Sequence, residues 1–466
     1  RRQLLTKCHT RPPLLPVASV YTAQGGLSII LKLHRGNFFV YPAQPEVYSV
    51  FFVLPLLYRK TNGKATVFFR GSGLHSGKKS GILKGTNLNE RGTPTMVTYE
   101  IPCLLGLEKL VADESKRLGL QEVRAENGRV LCRGSWADCA RLNINLRCGA
   151  RVVALLGQFP ARSFEELFQG VRAIPWEEYL PLEASFPVKG YSISSQLHSV
   201  PACQSIIKKA VVERMKSHYG VAQFPETGTK YQIRFAVFKD QVSVGLDSSG
   251  EGLYKRGYRA VGVEAPLRET LAAALVTLSR YRGRDPFCDP FCGSGTIPIE
   301  AALIAKNRAP GLDRRFDAQH WAFLPTKAWM DAADEAQDRE FHGQYDIWGG
   351  DVDPKAVAIA RDNARKAGVD DCIRFEVADA AKFHRDSQYG QLVTNPPYGE
   401  RLLERQEAEA LYRAFGQAWR TLPEGWRTLV LSSHTEFERC FGKQADRKRK
   451  LYNGMIKCDV FMYGNV

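Results

Sequence analysis

The chain has 466 residues, 44% of them hydrophobic and 24% charged, a balance typical of a globular protein with room for two or three domains. Its 65 Lys/Arg against 49 Asp/Glu leave a net charge of +16, which points to a polyanionic partner. Eleven dispersed cysteines with no Cys-x-x-Cys pair argue against a zinc site or a disulfide scaffold, and no apolar run is long enough to span a membrane.

The charge is unevenly placed. Residues 1–97 hold 14 basic residues and two acids, Glu46 and Glu90, leaving 51 basic against 47 acidic for 98–466. The basic start, with Pro12-Pro13, reads as an extension without a stable fold or as an organelle targeting segment. The expected location is cytoplasmic, or a plastid or mitochondrion if that segment is a transit peptide. From Tyr99 the pattern becomes regular: an amphipathic helix over 104–118, a strand over 129–132, a helix over 137–143 and a strand over 151–156. Ser163 caps a helix carrying Phe164, Leu167, Phe168 and Val171. A long helix over 200–219 precedes strands 232–238 and 241–246. This mixture suits a small antiparallel RNA-binding module. Residues 267–278 form an Ala-rich helix. The connection 307–345, with Trp321 and Trp329, reads as aromatic packing, a place over a base pocket being the other reading.

Three strand ends then carry polar residues suited to one ligand. The first is Asp289-Pro290-Phe291-Cys292-Gly293-Ser294-Gly295-Thr296, a glycine turn opening a helix, where backbone N–H groups can approach a ligand closely. It is neither a dinucleotide fingerprint nor a P-loop. The second ends at Asp351, placed to accept both hydroxyls of a ribose. The third, 373–377, leads to Asp379, placed to accept from an adenine amino group. Each acid alone is more often a turn or cap residue. Together they imply an adenosine without a phosphate tail, S-adenosyl-L-methionine. A fourth strand, 391–394, ends in Asn395-Pro396-Pro397-Tyr398. The Asn395 side-chain oxygen and the Pro396 carbonyl can accept the hydrogens of an exocyclic amine, the prolines fix the backbone, and Tyr398 can stack on an extruded base. At the end, Asn453-Gly454 marks a hairpin turn before Met455–Tyr463.

These motifs resemble the THUMP-containing class I methyltransferases, above all the L-type 23S rRNA guanine-N2 enzymes. The likeness is carried by Ser163-Phe164-Glu165-Glu166-Leu167-Phe168, Gln204-Ser205-Ile206-Ile207-Lys208-Lys209-Ala210, Lys255-Arg256-Gly257-Tyr258-Arg259, the segment Glu264–Ala274, Asn395–Arg401 and Arg447–Gly454. It implies an α/β chain with a ferredoxin-like plus THUMP module over 98–258 and a Rossmann-like methyltransferase domain over 259–466. It also implies cofactor contacts from Ala265, Pro266, Leu267, Arg268, Asp289, Gly293, Ser294, Gly295, Thr296, Asp351, Asp379 and Asn395, and a target amine held by Asn395, Pro396 and Tyr398. Candidate RNA contacts are Lys208, Lys209, Lys255, Arg256, Tyr258, Arg259 and Arg449. The implied activity is N2-methylation of a guanine in ribosomal RNA, with no metal. Methylation of a tRNA guanine, or of adenine N6 in RNA or DNA, are the alternatives. Nothing in the sequence sets the oligomeric state.

Overall fold

The computed structural model describes residues 96–259, 267–398 and 405–464, together with the backbone of five strands within 19–68. Those five are β1 (Ser19–Thr22), β2 (Ser28–His34) and β3 (Asn37–Pro42), which form an antiparallel sheet, and β4 (Leu57–Thr61) and β5 (Lys64–Phe68), a hairpin. The sequence reading expects no stable fold there. A lone two-stranded hairpin is marginal in water by itself.

A second, seven-stranded sheet is built from β6 (Val97–Pro102), β7 (Gln121–Glu126), β8 (Arg129–Gly134), β9 (Val153–Pro160), β10 (Val188–Ile193), β11 (Ile233–Phe238) and β12 (Gln241–Asp247). Its order is β10-β11-β12-β9-β6-β8-β7, and only β10 and β11 run parallel. The two halves of this first module, expected to bind RNA, are therefore one sheet, joined where β9 pairs with β6 on one side and β12 on the other. Helices α1 (Glu108–Arg117), α2 (Ala137–Asn145), α3 (Phe164–Arg172) and α4 (Val200–Tyr219) accompany it. Gly106, at a left-handed φ of +91°, keeps the start of the expected 104–118 helix out of α1. Ser163 and Glu166 form a reciprocal capping box at the start of α3.

The third sheet contains β13 (Phe287–Asp289), β14 (Ile347–Asp351), β15 (Ile373–Val377), β16 (Tyr389–Thr394), β17 (Gly425–Ser432), β18 (Arg447–Asn453) and β19 (Ile456–Tyr463). The order is β15-β14-β13-β16-β17-β19-β18, with the first five strands parallel and β19 antiparallel to both neighbours. Helices α5 (Glu269–Leu278), α6 (Thr296–Ala305), α7 (Thr326–Asp338), α8 (Pro354–Ala367), α9 (Arg405–Trp419) and α10 (Phe437–Phe441) complete the domain. The two-residue period of the strands divides their side chains between two cores. Phe287, Ile347, Val393 and Leu429 join a core continuous with that of the first module. Cys288, Trp348, Leu392 and Val430 face Tyr412, Phe415, Phe437 and Phe441 from α9 and α10. The terminal turn is Gly454-Met455, one residue later than expected: Asn453 still pairs with Ile456, and Gly454 supplies the positive φ of +65°.

The connection 307–345 takes the packing role. Trp321 is 2% exposed, stacks on Tyr231 at 5.6 Å and donates from its indole N–H to the Lys230 carbonyl. Phe323 meets Trp136 edge-on at 4.8 Å, and the Arg141 guanidinium forks onto Glu335 of α7. Full burial of one large apolar side chain is worth roughly 1.5–3 kcal/mol, so this lacing fixes the domain of the third sheet against the module of the second.

Candidate active site

The sheet reverses its winding between β13 and β16, and ligands of open α/β sheets bind at the carboxyl ends of strands flanking such a point. Here those ends carry Asp289 and Asn395. Thr394, the last residue of β16, donates its hydroxyl to Asp289 Oδ1 at 2.6 Å. The same oxygen accepts the Phe291 N–H at 3.1 Å. Asp289 is 1% exposed, so it lies beneath the glycine turn and ties the two loops together. Burial raises its carboxyl to about 7, and the neighbouring charge of Asp351 adds to the rise.

Gly293 (φ +50°) and Gly295 (φ +82°) both need the left-handed region, for different reasons. A Cβ on Gly295 would stand 2.9 Å from Ala360 Cβ and 3.0 Å from Phe375 Cζ, so helix packing excludes it. A Cβ on Gly293 would meet nothing within 4 Å, so this residue faces open space. The Gly293 N–H donates to Asp351 Oδ2 at 2.9 Å, and Asp353 N–H donates to Asp351 Oδ1 at 3.0 Å. Two backbone bonds thus orient the Asp351 carboxylate at the tip of β14. Val352 beside it is 74% exposed, an apolar surface that a purine ring would cover. Asp379 is exposed and caps the short turn Ala380–Lys382 through the Ala381 N–H, using one of its two oxygens. The Ser294 and Thr296 side chains are buried, and the Thr296 hydroxyl accepts from Arg259 at 2.8 Å. These two can offer a ligand only backbone groups. Leu267 is 7% exposed, the Arg268 guanidinium lies over the Tyr254 ring at 5.0 Å, and Ala265 and Pro266 fall outside the described residues.

On the target side, Pro396 is buried and the Pro397 carbonyl accepts the Tyr412 hydroxyl at 2.6 Å, which fixes the loop from α9. The Tyr398 hydroxyl donates to Asn395 Oδ1 at 2.5 Å, so the oxygen expected to await an amine is already engaged. Burial, then the nearby Cys458 thiol at 3.8 Å, hold the Tyr398 phenol well above its ordinary value. The Tyr398 hydroxyl reaches Cys458 of the terminal hairpin, and the residue is half-buried. Open glycine space, an oriented acid and an exposed apolar residue at adjacent strand ends fit an adenosine-bearing methyl donor.

Three family models match the chain: "RlmL ferredoxin-like domain" over 98–153, "THUMP domain" over 161–247, and "RMKL-like, methyltransferase domain" over 256–461. The "Putative RNA methyltransferase YpsC" of Bacillus subtilis is 42% identical over 362 residues, 77% of this chain and 94% of that protein. The chain belongs to the THUMP-containing RNA methyltransferase family. The methyl donor of this methyltransferase is S-adenosyl-L-methionine. The "Ribosomal RNA large subunit methyltransferase K/L" of Psychromonas ingrahamii is 34% identical over 79% of this chain, which spans only 50% of that protein. The crystal structure of SMU.472, described as a putative methyltransferase complexed with SAH, superposes with a TM-score of 0.76 at 40% identity, covering 80% of this chain and 100% of that one.

The candidate RNA contacts of the methyltransferase separate into two groups. Arg256 is 4% exposed; its guanidinium reaches Glu300 at 3.4 Å and donates to the carbonyls of Leu253 and Arg147. Tyr258 is 4% exposed and donates to the same Glu300 carboxylate at 3.2 Å. Arg259 bonds the Leu267 carbonyl and Thr296 and lies 3.6 Å from Glu269. These three clamp the RNA-binding module to α5 and α6, and Arg256 and Tyr258 have no face left for RNA, which corrects the reading of this cluster as an RNA surface. Lys208 is drawn inward to Glu226 at 2.6 Å and over the Phe186 ring, and Arg449 grips the Gly106 carbonyl. Lys209 and Lys255 are exposed, the latter paired with Glu251. Sequence reasoning missed Thr394 and Tyr412. Thr394 adjoins the motif and was within reach of suspicion; Tyr412 carries no local signal.

Proposed function

We propose that the enzyme methylates the exocyclic N2 of a guanine in large-subunit ribosomal RNA. The observation that carries this reading is the Thr394–Asp289 bond, which seats Asn395-Pro396-Pro397-Tyr398 beside the glycine turn. The THUMP match and the K/L-named relatives support RNA, and ribosomal RNA in particular, as the substrate.

The amine of guanine is a poor nucleophile because its lone pair is delocalised into the ring. Acceptors on its hydrogens localise that pair and aim it. An amide oxygen has two lone pairs, so Asn395 Oδ1 can keep the Tyr398 hydroxyl on one and take an amine hydrogen on the other. Tyr398 then orients the amide, and the Pro396 carbonyl supplies the second acceptor. When bound, S-adenosyl-L-methionine supplies an electrophilic methyl group. Positioning and exclusion of water supply the acceleration. No enzyme nucleophile is needed, and the nearby cysteines offer none: burial lifts the Cys288 thiol to about 11 and the Cys292 thiol well above its usual value.

The test is incubation of labelled methyl donor with ribosomal RNA, tRNA and DNA in parallel, followed by nucleoside analysis. N2-methylguanosine from ribosomal RNA is the expected product; label in tRNA, or as N6-methyladenine, overturns the assignment. Asn395→Ala should retain donor binding and lose about 10²–10³-fold in turnover, as removal of one aligned polar group does elsewhere.

A further inference from the structure

The clamp removes the Arg256 cation from any RNA surface, yet a different surface is strongly basic. A cleft opens between α1, the end of α5 and the start of β18. It continues into a second hollow that shares Leu110, Asp113 and Thr277 with the first. Lys109, Lys116, Arg117, Arg280, Arg282 and Arg447 line it, all exposed, and none makes an ion pair among the described residues. Asp113 is the one acid in the lining. Residues 98–466 carry almost equal numbers of acids and bases, so this accumulation is local.

Two further features separate the cleft from an ordinary solvated face. Arg280 sits at a φ of +63° just past the end of α5, where glycine is the residue of lowest cost. Partial burial of its guanidinium, and then the charge of Arg117, hold Arg282 below the usual arginine range although the residue as a whole is exposed. Complementing the helix dipole accounts for Lys116 and Arg117 in the last turn of α1. It does not account for Arg447 on a strand or for Arg282 in a loop. No lining residue is aromatic, so bases have nothing to stack on. What the cleft can recognise is a run of phosphates.

We propose that this cleft binds the phosphodiester backbone of a helical segment of the substrate RNA, away from the methylated base. The proposal rests on the RNA methyltransferase reading and deepens it. The strand directions set the separation. β18 starts at the cleft with Arg447 and ends at Asn453, whose hairpin packs on Tyr398. Six residue steps of strand put the two sites ~20 Å apart. A single RNA must therefore cross the face formed jointly by the first module and the catalytic sheet.

The test uses the full chain with Lys109→Ala, Arg280→Gly and Arg447→Ala combined. The control removes exposed cations elsewhere, Lys327→Ala, Arg365→Ala and Arg374→Ala. The probes are a fluorescent 20-base-pair RNA duplex and one of its strands, titrated at several salt concentrations. The cleft variant should bind the duplex on the order of tenfold more weakly, and the slope of log affinity against log salt should fall by about 2–3. Its affinity for S-adenosyl-L-methionine and its thermal midpoint should match those of the unaltered protein. A cleft variant indistinguishable from the control overturns the cleft while leaving methylation by the unaltered protein to stand. A loss confined to the single strand also overturns it, because the occupant would then not be helical. If the unaltered protein methylates no RNA, the function reading falls separately.

Discussion

Replacing Arg256 with methionine tests whether the Lys255–Arg259 cluster is an internal clamp or an RNA contact. The Arg256 side chain is 2% exposed and that of Glu300 is fully buried. Removing the guanidinium leaves Glu300 with the Tyr258 hydroxyl alone, its second oxygen having no partner, and strips the Leu253 carbonyl of a 2.7 Å bond. Breaking a buried pair from one side costs about 3–5 kcal/mol. An orphaned carbonyl adds about 1–3 kcal/mol unless water reaches it. Arg256→Met should therefore lose at least ~3 kcal/mol in urea unfolding. Adding Glu300→Leu should restore part of that loss by removing the uncompensated buried charge, while the Leu253 carbonyl and the Tyr258 hydroxyl stay without their partners. RNA affinity, measured well below the unfolding midpoint, should stay within about twofold of the unaltered value. A single variant that unfolds with less than ~1 kcal/mol lost, yet binds RNA poorly, would refute the clamp.

Asp289 makes the stability of the cofactor-free chain depend on pH. Its folded carboxyl titrates at about 7 against an ordinary value of 3.8, so the folded state holds a proton that the unfolded state has released between those limits. Stability falls as pH rises through that window and levels off above it. Asp289→Asn, whose oxygen can still accept from Thr394 and Phe291, should gain on the unaltered protein across pH 4–7 by at most ~4 kcal/mol. A pH-independent difference in urea midpoints would remove the explanation. The two turn glycines should separate fold from ligand. Gly295→Ala should lower stability by about 2 kcal/mol or more, since it combines left-handed strain with contacts near 3 Å. Gly293→Ala should cost roughly 1 kcal/mol in stability and act mainly on methyl-donor affinity in calorimetry. Similar donor affinities for the two variants would count against the open space at Gly293 as the ligand cradle.

The catalytic sheet was legible at β13, β14, β15 and β16, which end in residue types with a chemical reason to be there; buried β17 ends in none and went unread. Glycines, acids and an Asn-Pro-Pro-Tyr run at successive strand ends leave few ligands to choose from. Asp285-Pro286-Phe287-Cys288 is repeated at once as Asp289-Pro290-Phe291-Cys292, and this repeat obscures the start of β13, which uses only three residues and takes Phe287-Cys288 from the first copy. Strands β7 and β10 escaped notice because they are edge strands. Their residues are mostly exposed or half-exposed, so no apolar alternation marks them. The burial of Arg256 and Tyr258 was hidden for a different reason. A basic and aromatic run looks the same in sequence whether it meets RNA or a buried glutamate, and Glu300 lies 42 or more residues away on α6. The bond between Thr394 and Asp289 spans 105 positions and likewise has no local trace.

The stacked Tyr231 and Trp321 and the Arg141–Glu335 fork have a consequence for how such enzymes diversify. One hydrophobic core runs through both halves, which opposes a hinge motion of the RNA-binding module relative to the chemistry. On the proposed cleft, the enzyme would choose its nucleotide by reach from an anchored stem. A lineage could retarget it by reshaping the cleft at the first module while the methyl-transfer apparatus stayed untouched. Grafting that apparatus onto an unrelated module would first have to rebuild the 307–345 lacing.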